Sequence, residues 1–384
     1  MTVQAGSATD PRVVVVASSA LAALGFVWGS FAVLLTDLSR SLQLTPGGLG
    51  LALTAGMVAS LPAMTMAGRI ADRAGSGVVL AGSGGALAVG FVGLVGVADY
   101  PALLLVLAML SAASGAFDVG VNAAAVAYER ATGRRRMALI QAGFSLGGAI
   151  GALSAGALLG AGVRFRVVYL IDVVPLTAVV LTALRTRVPV PGTSLQHGLR
   201  RAPWRDRPLL VVAVVAALGF LAEAAMEQWS GVYLRSTLGL PALVGASAVA
   251  VYHVSMAAGR LACACVTNRL GEVRTLRAAG VLTTVGLVLA LTGSAPLLVV
   301  TGFFVVGLAL AMVLPIALSL AAAVGSASAG TASSVVTTIG YAGFLLGPIL
   351  VGAAADATGL RAALGIVAVV GLLVAVLASA TGPR

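Results

Sequence analysis

Two residue pairs are placed to do chemistry: Asp118 with Asn122, and Glu223 with Glu227. Each pair is spaced by four, which puts both side chains on one face of a helix. Asp118 lies twelve residues before Arg130, or ~18 Å from that end of an α-helix. In a helix that crosses a bilayer this depth is near the middle. A charge there costs at least about 2.5–3.5 kcal/mol, so such groups face a cavity or a partner. Asp118 therefore either takes up and releases a proton or makes a structural bond between helices, with Asn122 one turn away. Glu223 and Glu227 are two carboxyls that do not readily ionise together. Glu223, sixteen residues beyond Arg207 and so ~24 Å along the helix, is a substrate or gate candidate. Glu227 is either part of that site or a wetted helix end.

His253 titrates near neutral pH and is either a coupling residue or a packing residue. Trp28 and Gln141 could line a cavity, since an aromatic face and an amide suit small polar solutes. Asp172, ~9 Å along the helix from Arg166, is expected to pair near the surface. Trp229 and Tyr233 fit an interfacial aromatic belt. Other chemistries are missing. A chain whose 23 basic residues are all Arg has no lysine for a phosphate-binding P-loop. Cys263 and Cys265 lie on different helix faces and read as small hydrophobes. No metal site, cofactor or catalytic set is expected.

The elements that must position these residues are set by composition. Of 384 residues, 60% are hydrophobic and 9% charged, against about 45–50% and about 25% in soluble domains. Lipid must therefore solvate much of the surface. The net charge of +11 is a topology signal and not a nucleic-acid one, because the arginines cluster between apolar runs. Runs long enough to span a bilayer, ~20 residues, fall at about 13–37, 47–68, 78–97, 102–128, 137–161, 165–184, 208–234, 242–266, 275–293, 296–321, 328–353 and 360–380. The first is too long for a secretory signal and reads as a retained helix. With both termini cytoplasmic, only Arg40, Arg164, Arg166, Arg235 and Arg361 face outward and the rest of the 23 face inward. The basic-inside rule selects that orientation.

The fold expected is all-α: twelve membrane helices in two pseudo-symmetric bundles, residues 1–185 and 208–384, joined by a polar cytoplasmic linker, 186–207. The halves echo each other. Ala71-Asp72-Arg73-Ala74-Gly75 follows the second helix and Thr267-Asn268-Arg269-Leu270-Gly271 the eighth; Gly143-Phe144-Ser145-Leu146-Gly147 in the fifth is matched by Gly343-Phe344-Leu345-Leu346-Gly347 in the eleventh. Two matches at nearly one spacing indicate an internal duplication, a common plan among transporters.

The string from Gly68 through Asp72 and Arg73 to Gly75, set in this architecture, resembles the loop signature of the major facilitator superfamily. The resemblance implies a cytoplasmic gate in which Asp72 pairs with groups on the other bundle and holds one access state. Gly259, Arg260, Arg269 and Gly271 form the second copy, with Ala264 where an acid often occurs. Phe117-Asp118-Val119-Gly120-Val121-Asn122 and Ala222-Glu223-Ala224-Ala225-Met226-Glu227 are similar to the fucose-permease-like branch. That likeness implies a proton-coupling role for the carboxyl at Asp118, although the permease's acid in the first helix has no counterpart here beyond Asp37. The expectations are an inner-membrane, monomeric secondary transporter, no enzyme and no binder of nucleic acid, whose partners are a small polar solute, protons and lipid. Efflux is the rival, against which the fifth helix lacks a Gly-Pro pair; a membrane sensor is the rival of another class.

Overall fold

The computed structural model describes residues 12–134, 136–185, 206–324 and 329–381. Most of the expected linker, 186–205, lies outside them. Twelve helices among the described residues are long and apolar enough to cross a membrane. They comprise fourteen α-helical segments: α1 (Arg12–Ser41), α2 (Pro46–Val58), α3 (Ser60–Ala74), α4 (Ser76–Gly96), α5 (Tyr100–Thr132), α6 (Met137–Gly160), α7 (Phe165–Arg185), α8 (Arg207–Val232), α9 (Ala242–Leu270), α10 (Glu272–Thr292), α11 (Pro296–Leu310), α12 (Val313–Val324), α13 (Ala329–Thr358) and α14 (Leu360–Leu377).

The extra segments arise where two spans break. Proline has no N–H to donate to the carbonyl four residues back. Pro62 and Pro315 each leave one turn without that bond, and the interruptions fall at Ala59 and at Ala311–Met312. There the ladder tightens to three-residue bonds, Ala59 N–H to the Gly56 carbonyl (3.0 Å) and Met312 N–H to the Ala309 carbonyl (3.2 Å). Span ends carry ordinary caps. Asp99 Oδ1 accepts the Ala102 N–H at 2.8 Å, and Asp206 Oδ1 accepts the Leu209 N–H at 3.4 Å. After Val232, α8 widens into a π-turn, Tyr233–Thr237.

The chain divides into two compact units, one of residues 1–43 and 52–195, the other of 44–51 and 196–384. In the first, α1 packs along α6, α4 against α5 and α7, and α3 against α5. In the second, α8 packs along α13, α10 against α11 and α14, and α9 against α11. The contact scheme is the same one written twice. The first turn of α2 belongs to the second unit, where the Gly47 N–H (2.9 Å) and Thr45 Oγ1 (3.1 Å) both donate to Asp356.

The sequence echoes are the physical seams of this repeat. A Cβ on Gly147 would collide with the Ala22 carbonyl of α1, and one on Gly343 with the Ala217 carbonyl of α8. Backbones that close leave room only for glycine, the small-residue packing typical of membrane helices. Gly75 (φ 95°, ψ 152°) and Gly271 (φ 80°, ψ 157°) adopt nearly the same left-handed turn between successive spans, a conformation favoured by the absence of a Cβ. Large apolar side chains such as Leu105, Leu184 and Leu297 are exposed on the helix exteriors, as lipid-facing surfaces require.

Candidate functional site

In the first unit Trp28, Asp118, Asn122 and Gln141 lie on three helices, α1, α5 and α6. Ser114, Asp118 and Asn122 follow one another at four-residue spacing along α5, forming one stripe. The Asn122 amide donates to the Asp118 backbone carbonyl at 3.0 Å and also reaches the Asp118 carboxyl. From α6, Gln141 Nε2 donates to Asn122 Oδ1 at 3.2 Å. From α1, Trp28 Nε1 donates to Ser114 Oγ at 3.0 Å, and its ring stands edge-on to Phe31 at 5.2 Å. Trp28, Asp118, Asn122 and Gln141 are thus joined to one stripe, and each is only partly buried. Ser114 was not picked out from sequence; its position one turn before Asp118 was the signal available.

The result is a half-buried acid among amides, a hydroxyl and an indole, with no ion pair to it among the described residues. Such a surface can hydrogen-bond a neutral polar solute and can hold or release one proton. Asp172 differs from its expectation. Far from pairing at the surface, it is 1% exposed and accepts from Ser30 Oγ at 2.7 Å.

The second unit holds a different arrangement. Glu223 and Glu227 lie one turn apart on α8, and Arg260 reaches across from α9 to Glu223, with Nη2 3.1 Å from Oε1. The same guanidinium is within electrostatic reach of Glu227, Tyr252 and His253. His253 is 3% exposed, with its ring 6.2 Å from that of Tyr252. Three of the expected residues, Glu223, Glu227 and His253, are therefore brought together, and Arg260 joins them. From sequence Arg260 belonged with the inward-facing loop charges. The structure places it inside α9, ten residues before that helix ends at Leu270.

Of the remaining motif residues, Gly68, Asp72 and Arg73 lie in the last two turns of α3, ahead of the Gly75 turn; correspondingly Arg269 lies in the last turn of α9, ahead of the Gly271 turn. Gly259 packs its face of α9 against Leu308 and Ala311. Trp229 and Tyr233 form no surface belt. Both are buried, and the Tyr233 hydroxyl accepts from Arg361 Nε at 3.1 Å. Cys263 and Cys265 are free thiols, and no group of three metal-ligating side chains occurs among the described residues.

The family model of the Major Facilitator Superfamily matches residues 17–264 and 244–384. An uncharacterized MFS-type transporter of Yersinia pestis is 29% identical over 364 residues, covering 93% of this chain and 92% of the relative. The membrane protein MosC of Rhizobium meliloti is 29% identical over 269 residues, 70% of this chain and 65% of its own length. Among solved structures, a mutant of the nucleoside transporter NupG superposes with a TM-score of 0.84 at 16% identity, over 97% of this chain and all of that one. A bacterial homolog of the human lysosomal transporter Spinster, inward-facing and unoccupied, gives 0.76 at 15% identity over 96% of both chains. The chain belongs to the major facilitator superfamily and is a transporter and not an enzyme.

Proposed function

We propose that this member of the superfamily is a secondary active transporter that takes up a small polar solute by alternating access, with proton movement coupled to it through Asp118. The observation that carries the reading is the stripe of Ser114, Asp118 and Asn122, bridged to Trp28 and to Gln141 by hydrogen bonds of 3.0 and 3.2 Å. A carboxyl at the middle of a span is costly. It is best accounted for by a task, and here it is surrounded by groups that hydrogen-bond hydroxyl-bearing molecules. In this reading Asp118 exchanges its proton, Asn122 and Gln141 orient the solute, and Trp28 offers it an aromatic face.

The likeness of Asp118 and Asn122 to the fucose-permease-like branch favours uptake over efflux. So does the glycine-rich α6, whose Gly147-Gly148 lacks a following proline. The same reading has alternating access through movement of the two bundles, 1–185 and 208–384, in the inner membrane, with both termini cytoplasmic and a monomer as the working unit. Asp72, Arg73 and their echo at Arg269 serve as the cytoplasmic gate.

The test is counterflow. Purified protein in proteoliposomes preloaded with an unlabelled sugar or polyol should transiently concentrate the same labelled solute, as empty liposomes do not. Failure across a panel of sugars, polyols, nucleosides and amino acids, by protein shown to be folded, would contradict uptake of small polar solutes. Counterflow confined to lipophilic cations would replace it with efflux.

A further inference from the structure

The cluster on α8 and α9 has one acid too many. Arg260 is matched one-to-one by Glu223 at 3.1 Å. Glu227, one turn along the same face, has no hydrogen bond or ion pair among the described residues, yet shares the electrostatic environment of both. Beside it the Tyr252 hydroxyl is fully buried and has no hydrogen-bond partner among the described residues. That hydroxyl stands within electrostatic reach of Glu223, Glu227 and Arg260. A buried hydroxyl left unbonded keeps one donor available for a further partner. The other titratable group in this cluster is His253, 3% exposed.

The neighbouring turn supplies a second kind of recognition. Phe220, three residues before Glu223 and so on the same face of α8, packs its ring 5.8 Å from Tyr341 and 6.1 Å from Phe344 of α13. All three rings are only partly buried. Aromatic faces beside a surplus carboxyl are the setting in which ammonium groups are bound, the rings attracting the cation and the carboxyl matching its charge.

We propose that the second unit recognises a solute group carrying a single positive charge, an ammonium, held by Glu227 and the faces of Phe220, Tyr341 and Phe344. The Tyr252 hydroxyl donates to the carboxyl or to the solute, and Glu223 keeps the Arg260 guanidinium from repelling it. Glu227 and Phe220 are specificity-determining residues, and Arg260 with Glu223 are positioning residues. The proposal rests on the transport reading for the idea that the ligand is a cargo, and it narrows that cargo from any small polar solute to one with an amine.

The experiment is a calorimetric titration of the full chain in detergent with choline, ethanolamine and tetramethylammonium, each compared with the uncharged carbon isostere of choline. At least one ammonium probe should bind saturably, with the isostere at least about tenfold weaker, a difference of about 1.4 kcal/mol. Glu227→Gln should weaken the cation about tenfold and leave the isostere unchanged, and Phe220→Leu should weaken it about threefold. Binding by none of the probes, equal binding of the isostere, or wild-type affinity in either monodisperse variant overturns the proposal. If Glu227→Gln does not fold, the isostere and Phe220→Leu arms still decide. Because binding requires no transport, a chain that binds choline but shows no counterflow would keep this site and remove the transport reading instead.

Discussion

The two units share a scaffold and differ in how they treat charge. Around α5 the first unit sets one carboxyl, Asp118, among an amide pair, a serine and an indole, linked by neutral hydrogen bonds. Around α8 the second sets two carboxyls against one guanidinium, with a phenol and an imidazole alongside. The same helix pairings and the same glycine seams hold both. Packing therefore does not dictate the chemistry. A duplicated frame has been kept for its close helix contacts while the inward-facing positions diverged. A neutral network tolerates the gain or loss of one proton without leaving a counter-charge stranded. An ion pair inside a span does not, because each partner left alone carries its full desolvation cost.

That contrast can be broken most forcefully at Arg260. Arg260→Met strands Glu223 and should lower stability by about 2–3 kcal/mol, short of the ~3–5 for a wholly buried pair, because the Arg260 side chain is 34% exposed. Adding Glu223→Met should restore most of the loss, as replacing a whole pair by apolar groups commonly does. Thermal unfolding in one detergent measures both, and a double variant no more stable than the single would show that the pair does not carry the cluster.

The likeness of the units is sharpened at the seams. Gly147→Ala and Gly343→Ala should each cost about 1–3 kcal/mol by overpacking, since each new methyl meets a carbonyl of the adjacent helix. Gly82→Ala, whose Cβ would enter open space, should change stability by no more than about 0.5 kcal/mol. If only one seam proved sensitive, the halves would not be equivalent frames. The smallest effect is expected in the neutral network. Trp28→Phe keeps the ring and removes the indole donor to Ser114, for about 0.6 kcal/mol. Ser114→Ala should cost a similar amount, and the two together little more than either.

Much of this architecture was legible because bilayer thickness converts directly into apolar run length, so the twelve spans and the Gly75/Gly271 echo could be read from spacing. The breaks at Ala59 and Ala311 could not, since Pro62 and Pro315 sit inside predominantly apolar runs that carry no charged residue to mark an interruption. In the first site Asp118, Asn122, Gln141 and Trp28 announced themselves as rare polar groups in such runs. Ser114 did not, because a serine in a membrane helix can bond its own backbone and need face nothing. Arg260 was hidden by its neighbours. Beside Gly259, and close to Arg269 and Gly271 in sequence, it read as part of a loop motif, and only the reach of a long side chain across to α8 shows its partner. Trp229 and Tyr233 were drawn toward the interface by residue type, whereas their bulk fills the interior of the second unit.

Coupling at Asp118 is the claim on which the transport account depends. Proteoliposomes carrying a solute selected by counterflow should be given an acid-outside gradient, with wild type and Asp118→Asn compared side by side. The account predicts that wild type accumulates solute and loses accumulation when the gradient is collapsed. Asp118→Asn should keep counterflow but fall at least about a hundredfold in gradient-driven uptake, the scale of an essential proton-transfer group. Accumulation by Asp118→Asn equal to wild type, or wild-type uptake indifferent to the gradient, would contradict it.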